Sequence, residues 1–198
     1  HAYHTTRSFS LVFSHDEVID YLRDAKARTD EAVDRLRQAN EELARLAATD
    51  PLTGVANRRH FIERAEAEIA RAGRNGTPLV LLALDLDHFK KINDGFGHAV
   101  GDRVLQRFCD TVGGILRPSD LLGRLGGEEF AVLLPEAEAG EGAAVAERIR
   151  AAVVDMTAGS DLPAVTTSVG IAALDADGSE LETLLRVADD RLYEAKRL

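Results

Sequence analysis

From residue 16 to residue 47, one stripe of positions recurs on an alternating three-four spacing. It runs through Leu22, Ala25, Thr29, Ala32, Leu36, Ala39, Leu43 and Leu46, with charged residues between. A seven-residue period over about four heptads predicts a helix that pairs in parallel with a second copy of itself. A helix packed on its own domain is the alternative. Thr49-Asp50-Pro51-Leu52-Thr53-Gly54 breaks the pattern, because the residue before a proline disfavours helical backbone. Asn57 then caps a helix with Phe61, Ile62, Ala65 and Ile69 on one face, ended by Gly73 and Gly76. The unbroken apolar run Leu79–Leu84 predicts a central strand covered on both sides. Residues 85–101 read as a loop region, followed by a helix carrying Val104, Leu105, Phe108 and Val112 that stops near Gly113-Gly114.

Two apolar runs, 120–125 and 130–135, flank Gly126-Gly127 and predict a tight hairpin, since glycine adopts positive φ without steric cost. Residues 140–154 form an amphipathic helix with Ala144, Val145, Ile149 and Val153 inward. Residues 165–172 read as a strand, and Ser179 with Glu182 as a capping box opening a last helix over 180–196. Helix, strand, helix, hairpin, helix, strand, helix fits an α/β (α+β) fold: a ferredoxin-like, mostly antiparallel sheet flanked by helices.

Composition narrows the class. The 198 residues are 45% hydrophobic, enough for a core, and the formal net charge is −10. That balance argues against nucleic acid or an anionic membrane as a partner. An anionic substrate must be met by locally placed cations, backbone N–H groups or metal. Cys109 is the only cysteine, so an intrachain disulfide is excluded and a reducing cytoplasm is expected. No apolar run approaches the ~20 residues of a membrane span. The first ten residues lack a clear period and no Met opens them, and residues 1–15 read as the tail of a missing upstream region.

Candidate chemistry falls in two acidic clusters. Asp85 and Asp87 stand where the buried strand emerges, a costly place for charge unless it is paired or metal-bound. Alternation puts both on one face of an extended segment. Glu128 and Glu129 follow the Gly-Gly turn. With the two strands adjacent, Asp85, Glu128 and Glu129 converge as oxygen donors for one or two hard cations. The turn-rich stretch with Lys90, Lys91, Asn93, Gly95, Gly97 and Gly101 suits phosphates. Asn93 and Asp102 carry groups able to read a purine edge.

Residues 49–198 resemble the GGDEF domain of bacterial diguanylate cyclases, in a GGEEF variant. The matching stretches are Asp50–Gly54, Asn57-Arg58-Arg59, Asp85–Asp94, Gly97-His98, Gly101-Asp102, Gly126–Phe130, Ser168–Ala172, Ala188-Asp189 and Leu192–Lys196. The resemblance implies a palm-like sheet and the condensation of two GTP into cyclic di-GMP with two pyrophosphates released. It implies Mg²⁺, with Mn²⁺ as a substitute, held by Asp85, the Leu86 carbonyl and Glu128 with help from Glu129. Glu128 would take the proton of the attacking 3′-hydroxyl. Asn93 and Asp102 would recognise guanine, while Lys90, Lys196 and the backbone of His88 and Phe89 would hold phosphates. Arg117 and Asp120 form the Arg-x-x-Asp that in this family binds product and inhibits. Two GTP-loaded domains must face each other, which gives residues 16–48 a role as the homodimer's coiled coil and suggests an upstream sensor. The domain is expected in the cytoplasm, with membrane anchorage open to an upstream segment.

Two departures accompany the resemblance. Arg191 stands where a small residue is common, and Leu198 precedes the family's Gly-Arg-Asn, whose arginine helps bind phosphate, so GTP binding is expected to be weaker. A catalytically silent GTP or cyclic di-GMP receptor, and a dimerising transmitter, are the alternatives; retention of Asp85, Lys90, Glu128 and Glu129 speaks against the first.

Overall fold

The computed structural model describes residues 15–197, in two compact units. The first ends at Arg45 and holds most of α1 (His15–Ala48), an uninterrupted helix of 34 residues, about 50 Å long at 1.5 Å per residue. Leu22, Leu36 and Leu43 are exposed along it, as are Tyr21 and Val33. A helix that leaves a leucine stripe in water lacks the burial that normally stabilises a helix in a protein. Intrahelical pairs such as Arg35–Glu31 (3.1 Å) add only a few tenths of a kcal/mol each. The side chain of Leu46 and the segment 1–14 lie outside the described residues.

The second unit is built on a five-stranded sheet in the order β1-β3-β4-β2-β5. Its strands are β1 (Ala56–Asn57), β2 (Leu79–Leu86), β3 (Leu121–Gly126), β4 (Glu129–Pro135) and β5 (Thr167–Ala173). Only the β1–β3 pair is parallel. β2 lies between β4 and β5 and is buried throughout, which is why its sequence is apolar on both faces. Val80, Leu82, Leu84 and Leu86 pack on one side with Phe108, Val132, Ile149 and Val153; Leu79, Leu81 and Ala83 pack on the other with Phe61, Ile69, Leu184 and Ala188. Val132 comes from β4; the others come from the helices α2 (Arg58–Asn75), α4 (His98–Gly113), α5 (Ala139–Met156) and α6 (Leu181–Ala195). At Gly170, on β5, a Cβ would stand 1.9 Å from the Ala188 carbonyl oxygen, so only glycine lets α6 lie this close.

Several local expectations are corrected. The 85–101 stretch contains a further helix, α3 (Phe89–Phe96), whose Phe89 and Ile92 are buried. Its glycines mask an apolar pair at i, i+3 spacing. Gly73 lies inside α2, and Gly76 alone ends that helix, with φ 63°. On α5 the inward face is Gly142, Ala146, Ile149 and Val153, while Ala144 is exposed. The Ser179 capping box does not form. Glu180 is the N-cap of α6 without a side-chain cap bond, and the capping box of this molecule joins Glu138 and Glu141 at α5. Asn57 does cap α2, accepting from the His60 N–H at 3.0 Å.

Candidate active site

The acidic hairpin is narrower than its glycines suggest. β3 runs to Gly126 and β4 begins at Glu129, so the turn is Gly127-Glu128, with φ 22° at Gly127 only and a register shift between Arg124 and Gly126. Arg124 shapes it. Its Nε and Nη2 donate to the Gly127 carbonyl at 3.0 and 2.8 Å, and its Nη1 donates to Asp50 Oδ1 at 3.0 Å. Asp50 also accepts from the Thr53 backbone N–H and hydroxyl, at 3.0 and 2.7 Å. Burial raises the Asp50 carboxyl, but the Thr53 and Arg124 hydrogen bonds outweigh it and hold the group below its ordinary value. Arg58, at the start of α2, donates to the Leu125 carbonyl at 3.2 Å. Phe130 anchors the far side against Phe108, ring centroids 4.8 Å apart. The two Arg clamps escaped the sequence reading. Their motifs were visible, but no spacing rule pairs residue 50 with residue 124.

This rigid turn lies across from the end of β2. Asp85 and Glu129 are direct cross-strand partners, and the Leu86 N–H donates to the Glu128 carbonyl at 3.4 Å. Asp85 is 7% exposed, and the Lys196 ammonium stands 2.7 Å from its Oδ1. Asp85, Leu86, Glu128, Glu129 and Lys196 are thus brought to one end of the sheet. Among the described residues no three His, Cys, Asp or Glu side chains stand at metal-ligand spacing. The chemistry of the donors nevertheless fits a hard cation. A nearly buried carboxylate needs positive charge beside it, and here Lys196 supplies it. Asp87 differs from expectation. It lies beyond β2, and its carboxylate accepts from Thr166 Oγ1 at 2.6 Å and Ser168 Oγ at 2.7 Å.

A cleft of about 550 Å³ joins these groups to α6, lined by Asp85, Glu129, Arg58, Asp189, Tyr193 and Lys196 among others. Burial, then repulsion from Glu129 and Asp190, pushes the Asp189 carboxyl up, which marks Glu129 as facing α6. His88 takes left-handed backbone (φ 58°) as the N-cap of α3 with no side-chain cap bond, at a cost of roughly 1 kcal/mol. Phe89 behind it is buried and Lys90 is exposed. An uncapped helix start leaves N–H groups for an anion. Asn93 lies against α4: a Cβ on Gly101 would meet its Oδ1 at 2.0 Å. The next residue is Asp102, exposed, so both purine-reading candidates flank the α3–α4 contact.

Arg117 and Asp120 sit in the turn between α4 and β3, at the other end of β3 from the hairpin turn, about 17 Å away along six extended residues. Asp120 Oδ2 accepts from the Arg117 backbone N–H at 2.8 Å and closes the turn. The Arg117 side chain is exposed. Arg148 of α5 donates to the neighbouring Ile115 carbonyl at 2.9 Å.

Comparison with known proteins follows the same residues. Positions 47–198 match the family model described as diguanylate cyclase, GGDEF domain. The chain is 45% identical over 161 residues to diguanylate cyclase DgcP of Pseudomonas aeruginosa, covering 79% of this chain and 24% of that protein. It is 40% identical over 167 residues to response regulator PleD of Caulobacter vibrioides, covering 82% and 37%. It spans well under half of either relative. Among solved structures, the coiled coil and GGDEF domain of DgcB from Caulobacter crescentus, in complex with c-di-GMP, superposes with a TM-score of 0.80 at 34% identity. That match covers 89% of this chain and 94% of the other.

Proposed function

The chain belongs to the GGDEF diguanylate cyclase family, and from that premise we propose that it condenses two GTP into cyclic di-GMP and two pyrophosphates. The observation that carries the reading is Asp85, a nearly buried carboxylate directly across from Glu129 and held by Lys196 at the hairpin. Asp85, the Leu86 carbonyl, Glu128 and Glu129 would hold Mg²⁺ or Mn²⁺, which supplies charge neutralisation at phosphate and acidifies a bound hydroxyl. Asn93 and Asp102 bind guanine, the carboxylate accepting from its N–H groups. The N–H groups of His88 and Phe89, with Lys90 and Lys196, position the triphosphate. The 3′-oxygen of one nucleotide bonds to the α-phosphorus of the other, the Pα–O bond to pyrophosphate breaks, and the hydroxyl proton passes to Glu128. One domain is half of this site, and α1 brings the second copy.

Incubation with GTP and Mg²⁺, with products separated by chromatography, tests the reading. Cyclic di-GMP and pyrophosphate should form in a 1:2 ratio, and Asp85→Asn should abolish both. Retention of added cyclic di-GMP without GTP turnover would make the chain a receptor, and neither binding nor turnover would leave a dimerising transmitter. Arg117 and Asp120 provide the product brake. Arg117→Ala is therefore expected to carry the reaction past the product level at which the parent stalls, and stalling at the same level would refute the brake.

A further inference from the structure

Beyond Lys196, a second cation faces the end of the sheet. A hollow of about 480 Å³ opens between the end of β2, α5, the start of β5 and the end of α6. Its lining is Asp87, His88, Arg150, Thr166, Ser168 and the Ala195-Lys196 pair. Arg150 projects from α5, an element to which the sequence pattern assigns only packing. Its Nε pairs with Glu147 at 3.0 Å, a contact between exposed side chains one helical turn apart, worth no more than about 1 kcal/mol. No hydrogen bond within the described residues engages its two terminal nitrogens. Asp87, the carboxylate in the wall, is occupied by the Thr166 and Ser168 hydroxyls. Lys196, whose ammonium rests on Asp85, also lines the hollow.

We propose that Arg150 is a further phosphate-binding residue, and that this hollow takes the pyrophosphate portion of the nucleotide between Arg150 and Lys196. A guanidinium held through Nε offers its outer fork for bidentate contact with phosphate oxygens, which a flexible lysine cannot reproduce. In a chain of net charge −10, a polyphosphate anion requires such cations at the spot where it binds. The lining also includes His88, where left-handed backbone turns the chain into α3, so the hollow joins two cations to the start of that helix.

The inference rests on the cyclase reading of the site, and pyrophosphate itself separates the two. Calorimetric titration of the chain with inorganic pyrophosphate in Mg²⁺ buffer is compared with titration by guanosine. Arg150→Gln is expected to weaken pyrophosphate about tenfold, the effect of one charge-assisted contact. Guanosine affinity and melting temperature should hold, and Arg150→Lys should restore only part of the loss. Arg150→Gln that binds pyrophosphate like the parent, while Lys196→Gln weakens it, overturns the role of Arg150 alone. Pyrophosphate binding unaffected by either change, or absent from the parent, overturns the phosphate reading of the site as well. Equal losses for guanosine and pyrophosphate would reduce Arg150 to a structural part.

Discussion

At the scale of single residues, charge is placed where the surroundings fix its state. Asp50 is the clearest case, because its carboxylate locks both its own loop and, through Arg124, the acidic turn. Its folded value lies below the ordinary 3.8 despite burial. The stabilisation is therefore present above pH 3.8 and is lost as pH falls through the lower folded value. Asp50→Asn should lower the melting temperature at pH 7, by the few degrees that 1–2 kcal/mol represents, and the gap should narrow below pH 3.8. A gap independent of pH would mean that shape rather than charge holds the loop. Cys109 is the opposite case. Burial pushes its thiol up to about 12, so the single cysteine is a core side chain and no nucleophile. Asp85, Glu128, Glu129, Asn93 and Asp102 stand out as candidates in the sequence because acids and amides beside glycines break an apolar pattern. Arg124 and Arg58, which hold the turn, and Arg150, which lines the hollow, do not. An arginine on a strand or helix reads as solvated surface until topology shows what it reaches.

Among the elements, the long and strongly periodic ones were readable and the short or glycine-bearing ones were not. β2 announces itself because a strand covered on both faces must be apolar at every position. α3 was hidden by Gly95 and Gly97, and β1, two residues long, has no period to read. The last helix was placed correctly over most of its length, but its anchor was not. Arg191 forks onto both Asp177 oxygens at 2.7 and 2.8 Å and donates to the Ile171 carbonyl at 2.6 Å. That pair, with the close approach at Gly170, fixes the α6 that carries Lys196. α1 leaves Leu22, Leu36 and Leu43 exposed, and in the proposed dimer a second α1 covers them. Leu36→Lys with Leu43→Lys should lower cyclase activity per mole at least tenfold at low protein concentration, with partial recovery as concentration rises. Unchanged activity per mole in that regime would remove the stalk from the account.

For the whole molecule, the sheet holds the proposed catalytic end and the proposed product site apart. The acidic turn and the end of β2 form one end; the Arg117–Asp120 turn lies a strand length away and shares β3 with it. In the proposed reaction, product would engage one end of β3, whose other end leads into the proposed metal-binding turn. Among the described residues no helix is long and apolar enough to cross a membrane, and the acidic surface disfavours non-specific polyanion binding. In the proposed reaction the cations that meet GTP are local: Lys90 at the start of α3, and Lys196 and Arg150 around one hollow. The second nucleotide then comes on a second chain.

That dependence on two competent copies is the central claim, and a mixing experiment reads it directly. Wild-type chain and Asp85→Asn chain are combined in equal amounts at fixed total concentration, allowed to exchange subunits, and assayed for cyclic di-GMP. If each product requires two intact half-sites, random pairing leaves about one quarter of the dimers active, so the rate should fall to about a quarter of the wild-type rate. A rate of about one half, the value for independent sites, would contradict the account.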